Sequence, residues 1–138
     1  GSIPLGAVVT PNVKEFEMLF GEKINWKDLD RVIEKVERKA DKYGCVVVLK
    51  GPVTVVSNGK KTWLVEGGSP GLTKGGTGDI VAGLTTALMA KNPVMLAAGA
   101  ANFLVKKAAE ELEKERGTMF NADDVAEMVP RMWRRYGS

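Results

Sequence analysis

The run Gly75-Gly76-Thr77-Gly78-Asp79, leading straight into the apolar stretch Ile80-Val81-Ala82, concentrates the residue types that phosphoryl transfer needs. Glycines let backbone N–H groups turn toward an anion, and a helix start adds partial positive charge. A carboxylate at that same start, Asp79, can take the proton of a bound hydroxyl. In a protein with no such ligand the run is a glycine-rich loop in which Asp79 serves the helix dipole. No Gly-Lys-Ser/Thr follows, so the run is not a Walker loop, and its glycine spacing is not that of a dinucleotide fingerprint.

Two further stretches hold residues of the same chemistry. In Lys50-Gly51-Pro52-Val53-Thr54, Lys50 supplies charge and Gly51 permits close backbone approach to a ligand; the alternative is an ordinary strand-to-turn segment. Thr10-Pro11-Asn12-Val13-Lys14-Glu15 follows a short apolar run, and by residue type alone it is a helix start with Asn12 as N-cap and Glu15 completing a capping box.

Composition narrows the chemistry. The chain has no histidine, which excludes His-based triads and most zinc sites. Cys45 is the only cysteine, so no internal disulfide forms, and its place at the head of an apolar run predicts a buried structural thiol. The net charge of +3 is spread among acidic residues, as in Glu34 to Lys39, which predicts solvated helix faces and no nucleic-acid partner. Arg131, Arg134 and Arg135 cluster near the end, where a solvated terminus is expected. No apolar run approaches the roughly 18 residues of a membrane span. With no signal-peptide pattern visible, a cytoplasmic setting and no membrane partner are expected. Gly1-Ser2 reads as an expression scar.

The elements that must position these residues are legible from periodicity. Ala7 to Thr10 is a short buried strand ended by Pro11, and Asn12 to Phe20 a helix stopped at Gly21. A second helix is predicted from Trp26 to Tyr43, capped by Asn25, with Leu29, Val32, Ile33, Val36 and Ala40 at helical spacing. Cys45 to Leu49 is a strand apolar on both faces. Val53 to Ser57 and Thr62 to Val65 flank Asn58-Gly59, a hairpin signal. After the loop from Gly67 to Gly78, helices are predicted from Asp79 to Lys91, Val94 to Glu115 and Asp123 to Tyr136. The second of these carries Leu96, Ala100, Leu104, Ala108 and Leu112 four residues apart; the third is capped by Asn121. Met89, Met95, Met119, Met128 and Met132 fit core spacing, and Trp26, Trp63 and Trp133 fit core or rim packing. The order predicts an α/β layered sheet with a hairpin at one side and three C-terminal helices. In such sheets ligands bind beyond the carboxyl ends of the strands, where all three motif loops would lie.

The glycine run opening a helix, with Ala82 and Gly83 in its first turns, resembles the signature of the ribokinase-like superfamily. The resemblance implies an anion hole at Gly76, Thr77 and Gly78, and Asp79 as base for the acceptor hydroxyl. Five other features are similar to the NAD(P)H-hydrate dehydratases of that superfamily. Lys50-Gly51-Pro52-Val53-Thr54 matches their nucleotide-holding Lys-Gly-x-x-Thr. Gly67 to Lys74 resembles their approach loop, and Phe120 to Pro130 their closing helix. Asn102 stands where those proteins carry a His or Asn near the adenine. Thr10-Pro11-Asn12 matches their Thr-Pro-His except that Asn12 replaces the histidine that touches the hydrated cofactor, and Glu15 would help organise magnesium indirectly.

The resemblance therefore implies a nucleotide-binding set of Lys50, Gly51, Pro52, Val53, Thr54, Gly78 and Asn102, and a substrate-binding pair of Asn12 and Asp79. The implied ligands are ADP or ATP with Mg²⁺, and hydrated NADH or NADPH. A second copy of the chain is the expected partner, pairing through the edge of the first strand. The family's domain is longer, so residues 1–138 are read as a single domain, a partial ribokinase-like layered sheet that forms the C-terminal half of a longer ribokinase-like domain. The implied activity is nucleotide-dependent dehydration of the hydrated cofactor. A vitamin- or sugar-kinase fragment of the same superfamily and a non-catalytic, truncated or designed nucleotide-binding module are the alternatives.

Overall fold

A computed structural model describes residues 3–73 and 76–137; Gly1-Ser2, Lys74 and the first glycine of the motif, Gly75, lie outside the described residues. In chain order the elements are β1 (Val8–Val9), α1 (Val13–Phe20), α2 (Leu29–Tyr43), β2 (Val46–Leu49), β3 (Thr54–Ser57) and β4 (Thr62–Val65). They are followed by a 3-10 turn (Pro70–Thr73), α3 (Thr77–Met89), α4 (Val94–Arg116) and α5 (Ala122–Tyr136). The four strands lie in sequence order, β1 parallel to β2 and the rest antiparallel.

Alternation along β2 assigns the two faces of the sheet. Val47 and Leu49, with Val55, pack against Phe16, Val32, Val36 and Ala40 of α1 and α2. Val46 and Val48, with Val56 and Val65, pack against Met95 and Ala98 of α4. A strand covered on both faces has no place for polar side chains, which is why β2 is an unbroken apolar run. A third cluster joins α3, α4 and α5 through Val81, Leu104, Val105, Leu112, Val125 and Met132. Cys45 is buried, and burial pushes its thiol pKa up, as a structural thiol requires.

The backbone beyond β1 and β2 fixes where a ligand could sit. Lys50 N–H donates to Pro11 O at 3.0 Å, so the carboxyl ends of the two parallel strands are tied side by side. The antiparallel hairpin β3–β4 starts and finishes at that same end. The loops after β1, after β2 and after β4 therefore converge on one edge of the sheet.

Several local expectations need correction. α2 starts at Leu29 and is capped by Asp28, whose side chain accepts from Arg31 N–H at 3.2 Å. Asn25 instead closes a turn, accepting from Lys27 N–H at 3.1 Å, because residues 25–28 bend where Trp26 packs beside Gly51. Leu96 is 46% exposed although the spacing predicts it in the core. α4 is wedged between the sheet and two helices, so it buries a wide arc rather than one stripe. Met119, at 82% exposure, lies in the α4–α5 connection and not in the core. The tail arginines are not simply solvated: Arg131 pairs with Glu115 at 3.5 Å and Arg135 with Glu111 at 3.2 Å, fastening α5 to α4. Among the described residues no helix is long and apolar enough to cross a membrane.

Glu22 joins α1 to α2, standing 2.6 Å from Arg38 and 3.1 Å from Lys39. Burial alone would raise its pKa, but Lys39 and Arg38 outweigh it and hold the carboxyl below its ordinary 4.5. A carboxyl depressed in the folded state stabilises the fold above its ordinary pKa, and this stabilisation is lost as pH falls through the folded value. Glu22→Gln is therefore expected to lose about 0.5–1 kcal/mol at neutral pH, the range of partly exposed ion pairs. The gap between variant and parent should close below pH 4.5 in urea titrations read at successive pH values.

Candidate active site

At the convergent edge lies a cleft of about 840 Å³, a size that suits a nucleotide. Asn12 reaches it from the loop after β1, and Lys50, Gly51, Pro52 and Thr54 from the loop between β2 and β3. The loop after β4 contributes Gly67 to Pro70 with Leu72, then Gly76, Thr77 and Gly78. Asn102, Val105 and Lys106 of α4 form its back wall.

The start of α3 is built to face an anion. Gly76 is its N-cap at φ +94°, and a Cβ there would stand 3.0 Å from the Ala122 Cβ, so backbone angle and space both call for glycine. As a glycine, the N-cap residue itself offers no side-chain cap. The Thr77 hydroxyl donates to Leu72 O at 2.8 Å, tying the helix start to the preceding 3-10 turn. What the start offers the cleft is thus backbone N–H and the positive end of the helix. Beside it stands a cation: Lys50 Nζ lies 3.1 Å from where a Cβ on Gly78 would be. Among the described residues the Lys50 ammonium has no hydrogen-bond or ion-pair partner.

Not every expected site residue enters the cleft. Asp79, the third residue of α3, is exposed and does not line the cleft, although its neighbour Gly78 does. Glu15 is exposed and outside the cleft. Its Oε1 accepts from Asn12 N–H at 3.0 Å while Asn12 Oδ1 accepts from Glu15 N–H at 2.8 Å, the reciprocal capping box. Val53, in the bend just before β3, is absent from the lining, while Pro52 and Thr54 on either side belong to it. Gly51 lines the cleft, but its missing side chain has a structural cause. A Cβ there would fall 2.0 Å from the Trp26 ring. Asn102 is buried, and its Nδ2 donates to Ala98 O at 2.8 Å.

Sequence patterning missed Lys106. It is 7% exposed, lines the cleft, and donates from Nζ to Val65 O at the end of β4, 2.8 Å away. Burial pushes its pKa down, and Glu110 and Glu66 oppose that shift. The signal available was its place four residues after Asn102 within the otherwise small and apolar stretch Ala97 to Val105. Glu110 holds the nearby loop, accepting from Gly68 N–H at 3.0 Å. Among the described residues no cluster of three or more Cys, Asp or Glu side chains could hold a metal ion.

Residues 5–131 match the family model described as NAD(P)H-hydrate dehydratase. The chain is 38% identical over 133 residues to the ADP-dependent (S)-NAD(P)H-hydrate dehydratase of Cenarchaeum symbiosum, covering 94% of this chain and 45% of that protein. The ADP/ATP-dependent NAD(P)H-hydrate dehydratase of Bacillus subtilis, co-crystallised with ATP/Mg²⁺, superposes with a TM-score of 0.86 at 27% identity, over 98% of this chain and 50% of that one. A ribokinase-like superfamily protein of Enterococcus faecalis superposes with a TM-score of 0.80 at 25% identity, over 94% of this chain and 44% of that one. The chain thus has the ribokinase-like fold and spans less than half the length of the curated relative it matches.

Proposed function

We propose, since the chain belongs to the NAD(P)H-hydrate dehydratase family, that its cleft holds ADP or ATP for the repair of hydrated NADH or NADPH. The observation that carries the reading is the position of Lys50 Nζ beside Gly78 at the glycine-bounded start of α3, both lining one cleft. That pairing offers two kinds of donor, backbone and ammonium, to one phosphate chain. The Glu15 capping box leaves that carboxylate a role in ordering the loop more than in direct ligation. With no carboxylate cluster among the described residues, the site fits a magnesium ion carried mainly by phosphate oxygens and water. When bound, the ion supplies neutralisation of phosphate charge.

The reaction proposed is phosphorylation followed by elimination. The ring hydroxyl forms a new O–P bond as the bond from the terminal phosphoryl group to the rest of the nucleotide breaks. Asp79 takes the hydroxyl proton. The amides at the start of α3 hold the charge on the transferred group. Phosphate then departs with the C–O bond's electrons, and loss of a neighbouring ring proton restores the double bond. Asn12 contacts the hydrated ring from the loop after β1. Lys50, Gly51, Pro52 and Thr54 seat the nucleotide, and Val53 only carries the chain between them.

The lone buried thiol and the nicotinamide substrate fit a cytoplasmic setting. A homo-oligomer is the state proposed, with β1, which pairs with β2 on one side only among the described residues, as the edge that a second copy would meet. The kinase alternative receives less support, because the family model and the curated relative both carry the dehydratase description. The test is incubation with hydrated NADH, ADP or ATP, and Mg²⁺. Return of reduced-nicotinamide absorbance with release of phosphate is expected. Nucleotide consumption by a vitamin or sugar, with the hydrate untouched, would overturn the assignment in favour of a kinase.

A further inference from the structure

β4 closes the sheet on the side away from β1 and has β3 as its one strand neighbour among the described residues. Its free edge carries none of the usual guards against pairing: Thr62 to Val65 holds no charge, proline or bulge. Two large apolar side chains stand on it, Trp63 at 38% and Leu64 at 43% exposure. The Trp63 ring lies against α4 at Gly99, where a Cβ would fall 2.7 Å from it. Leu96, about one turn earlier on that helix, is exposed as well.

Charge frames this apolar edge. Lys60 and Lys61 precede β4 and Glu66 follows it, all three exposed. None of them makes an ion pair within the chain among the described residues, although Glu22, Glu110, Glu111 and Glu115 each do. A groove of about 360 Å³ lies at the carboxyl end of the strand, with Leu64, Glu66, Phe103 and Glu110 in its walls. Its cation, Lys107, is already paired with Glu110 at 3.3 Å. A strand that is basic at one end, acidic at the other and apolar between is complementary to itself when run antiparallel.

We infer that β4 is a self-association surface, on which a second copy of the chain adds its own β4 antiparallel and continues the sheet across a two-fold axis. The hairpin fixes which backbone groups are free. Asn58 N–H donates to Lys61 O at 3.2 Å, so by alternation Trp63 and Val65 bond to β3, while Thr62 and Leu64 turn their N–H and C=O outward. A two-fold axis normal to the sheet keeps each residue on the same face in both copies, so residues that face each other must be both odd or both even in number. With Thr62 facing Leu64 of the second copy, the outward groups exchange backbone hydrogen bonds. Trp63 then meets its own counterpart at the axis, in the non-hydrogen-bonded position where side chains come closest. Lys60 comes opposite Glu66 of the second copy, with Lys61 beside it. The next register, Leu64 facing Leu64, would set Thr62 opposite Glu66 and leave the lysines without a carboxylate. The surface lies at the edge opposite β1, and none of its three charged residues lines the cleft.

Sedimentation tests it, run on the unaltered chain, on Lys60→Glu with Lys61→Glu, on Glu66→Lys, and on the two variants mixed. The unaltered chain should associate. Each variant sets like charges opposite each other at both ends of the contact, so its association should weaken by about tenfold or more. The equimolar mixture should recover to within about threefold of the parent, because each chain then meets the opposite sign in its partner. The altered side chains are exposed and hold no ion pair, so both variants should keep the fold, and recovery on mixing shows that they do. A monomeric parent would overturn the inference. So would variants that associate as the parent does, which would leave the contact to the β1 edge, or a mixture no tighter than its components.

Discussion

Asp79→Asn is expected to lower the rate at which reduced cofactor is restored by a factor on the order of 10² or more, the scale of losing a general base. The substitution keeps the shape and polarity of the side chain while removing its ability to take a proton. Asp79 is exposed and is not among the residues that line the cleft, so the nucleotide's own contacts should not depend on its side chain. ADP affinity should therefore change little. A carboxylate in the first turn also favours the helix dipole, so a stability loss of about 0.3–1 kcal/mol is expected, too small to explain a hundredfold rate loss. Steady-state rates and calorimetric ADP affinity, taken on the same preparations, separate the two effects. Retained turnover would show that another group takes the proton.

Lys50→Ala should weaken ADP and pyrophosphate together, by about 10- to 100-fold, corresponding to the loss of charge-assisted hydrogen bonds of about 1.5–3 kcal/mol. The side chain has no hydrogen-bond or ion-pair partner among the described residues, and its Nζ stands beside Gly78 at the start of α3. Removing it breaks no hydrogen bond or ion pair among the described residues, so thermal stability should be nearly unchanged. That combination, lost affinity with retained stability, marks a ligand-facing charge. The effect should also shrink as salt rises, because the interaction is made at an open cleft. If Lys50→Ala leaves pyrophosphate affinity intact, the phosphate chain does not lie at the start of α3.

Local chemistry is what made much of this legible from sequence. Glycine at Gly76 announces a backbone angle that other residues rarely adopt, and Asn12, Asn121 and Gly44 announce helix ends through hydrogen bonds within a few residues. The unbroken valines of β2 announce a strand covered on both faces. Where the outcome depended on distant partners, the pattern misled. Lys106-Lys107 followed by Glu110-Glu111 looks like a solvated helix face, yet the carbonyl of Val65, 41 residues away, draws Lys106 inward. Gly51 reads as room for a ligand, but the space belongs to the Trp26 ring. Asn25 and Asp28 are both good caps by type, and a turn at residues 25–28 decides for Asp28. Asp79, Glu15 and Val53 belong to the right motifs, but a motif does not say which of its members turns into the cleft.

The central claim is that the start of α3 and Lys50 hold the phosphates of a nucleotide whose base rests against α4. A crystal structure of the chain with ADP and Mg²⁺ tests it most directly. The account predicts terminal phosphate oxygens within hydrogen-bond reach of the backbone N–H groups of Thr77, Gly78 or Asp79 and of Lys50 Nζ. It also predicts adenine beside Asn102. Phosphates bound away from α3, or a nucleotide seated outside this cleft, would contradict it.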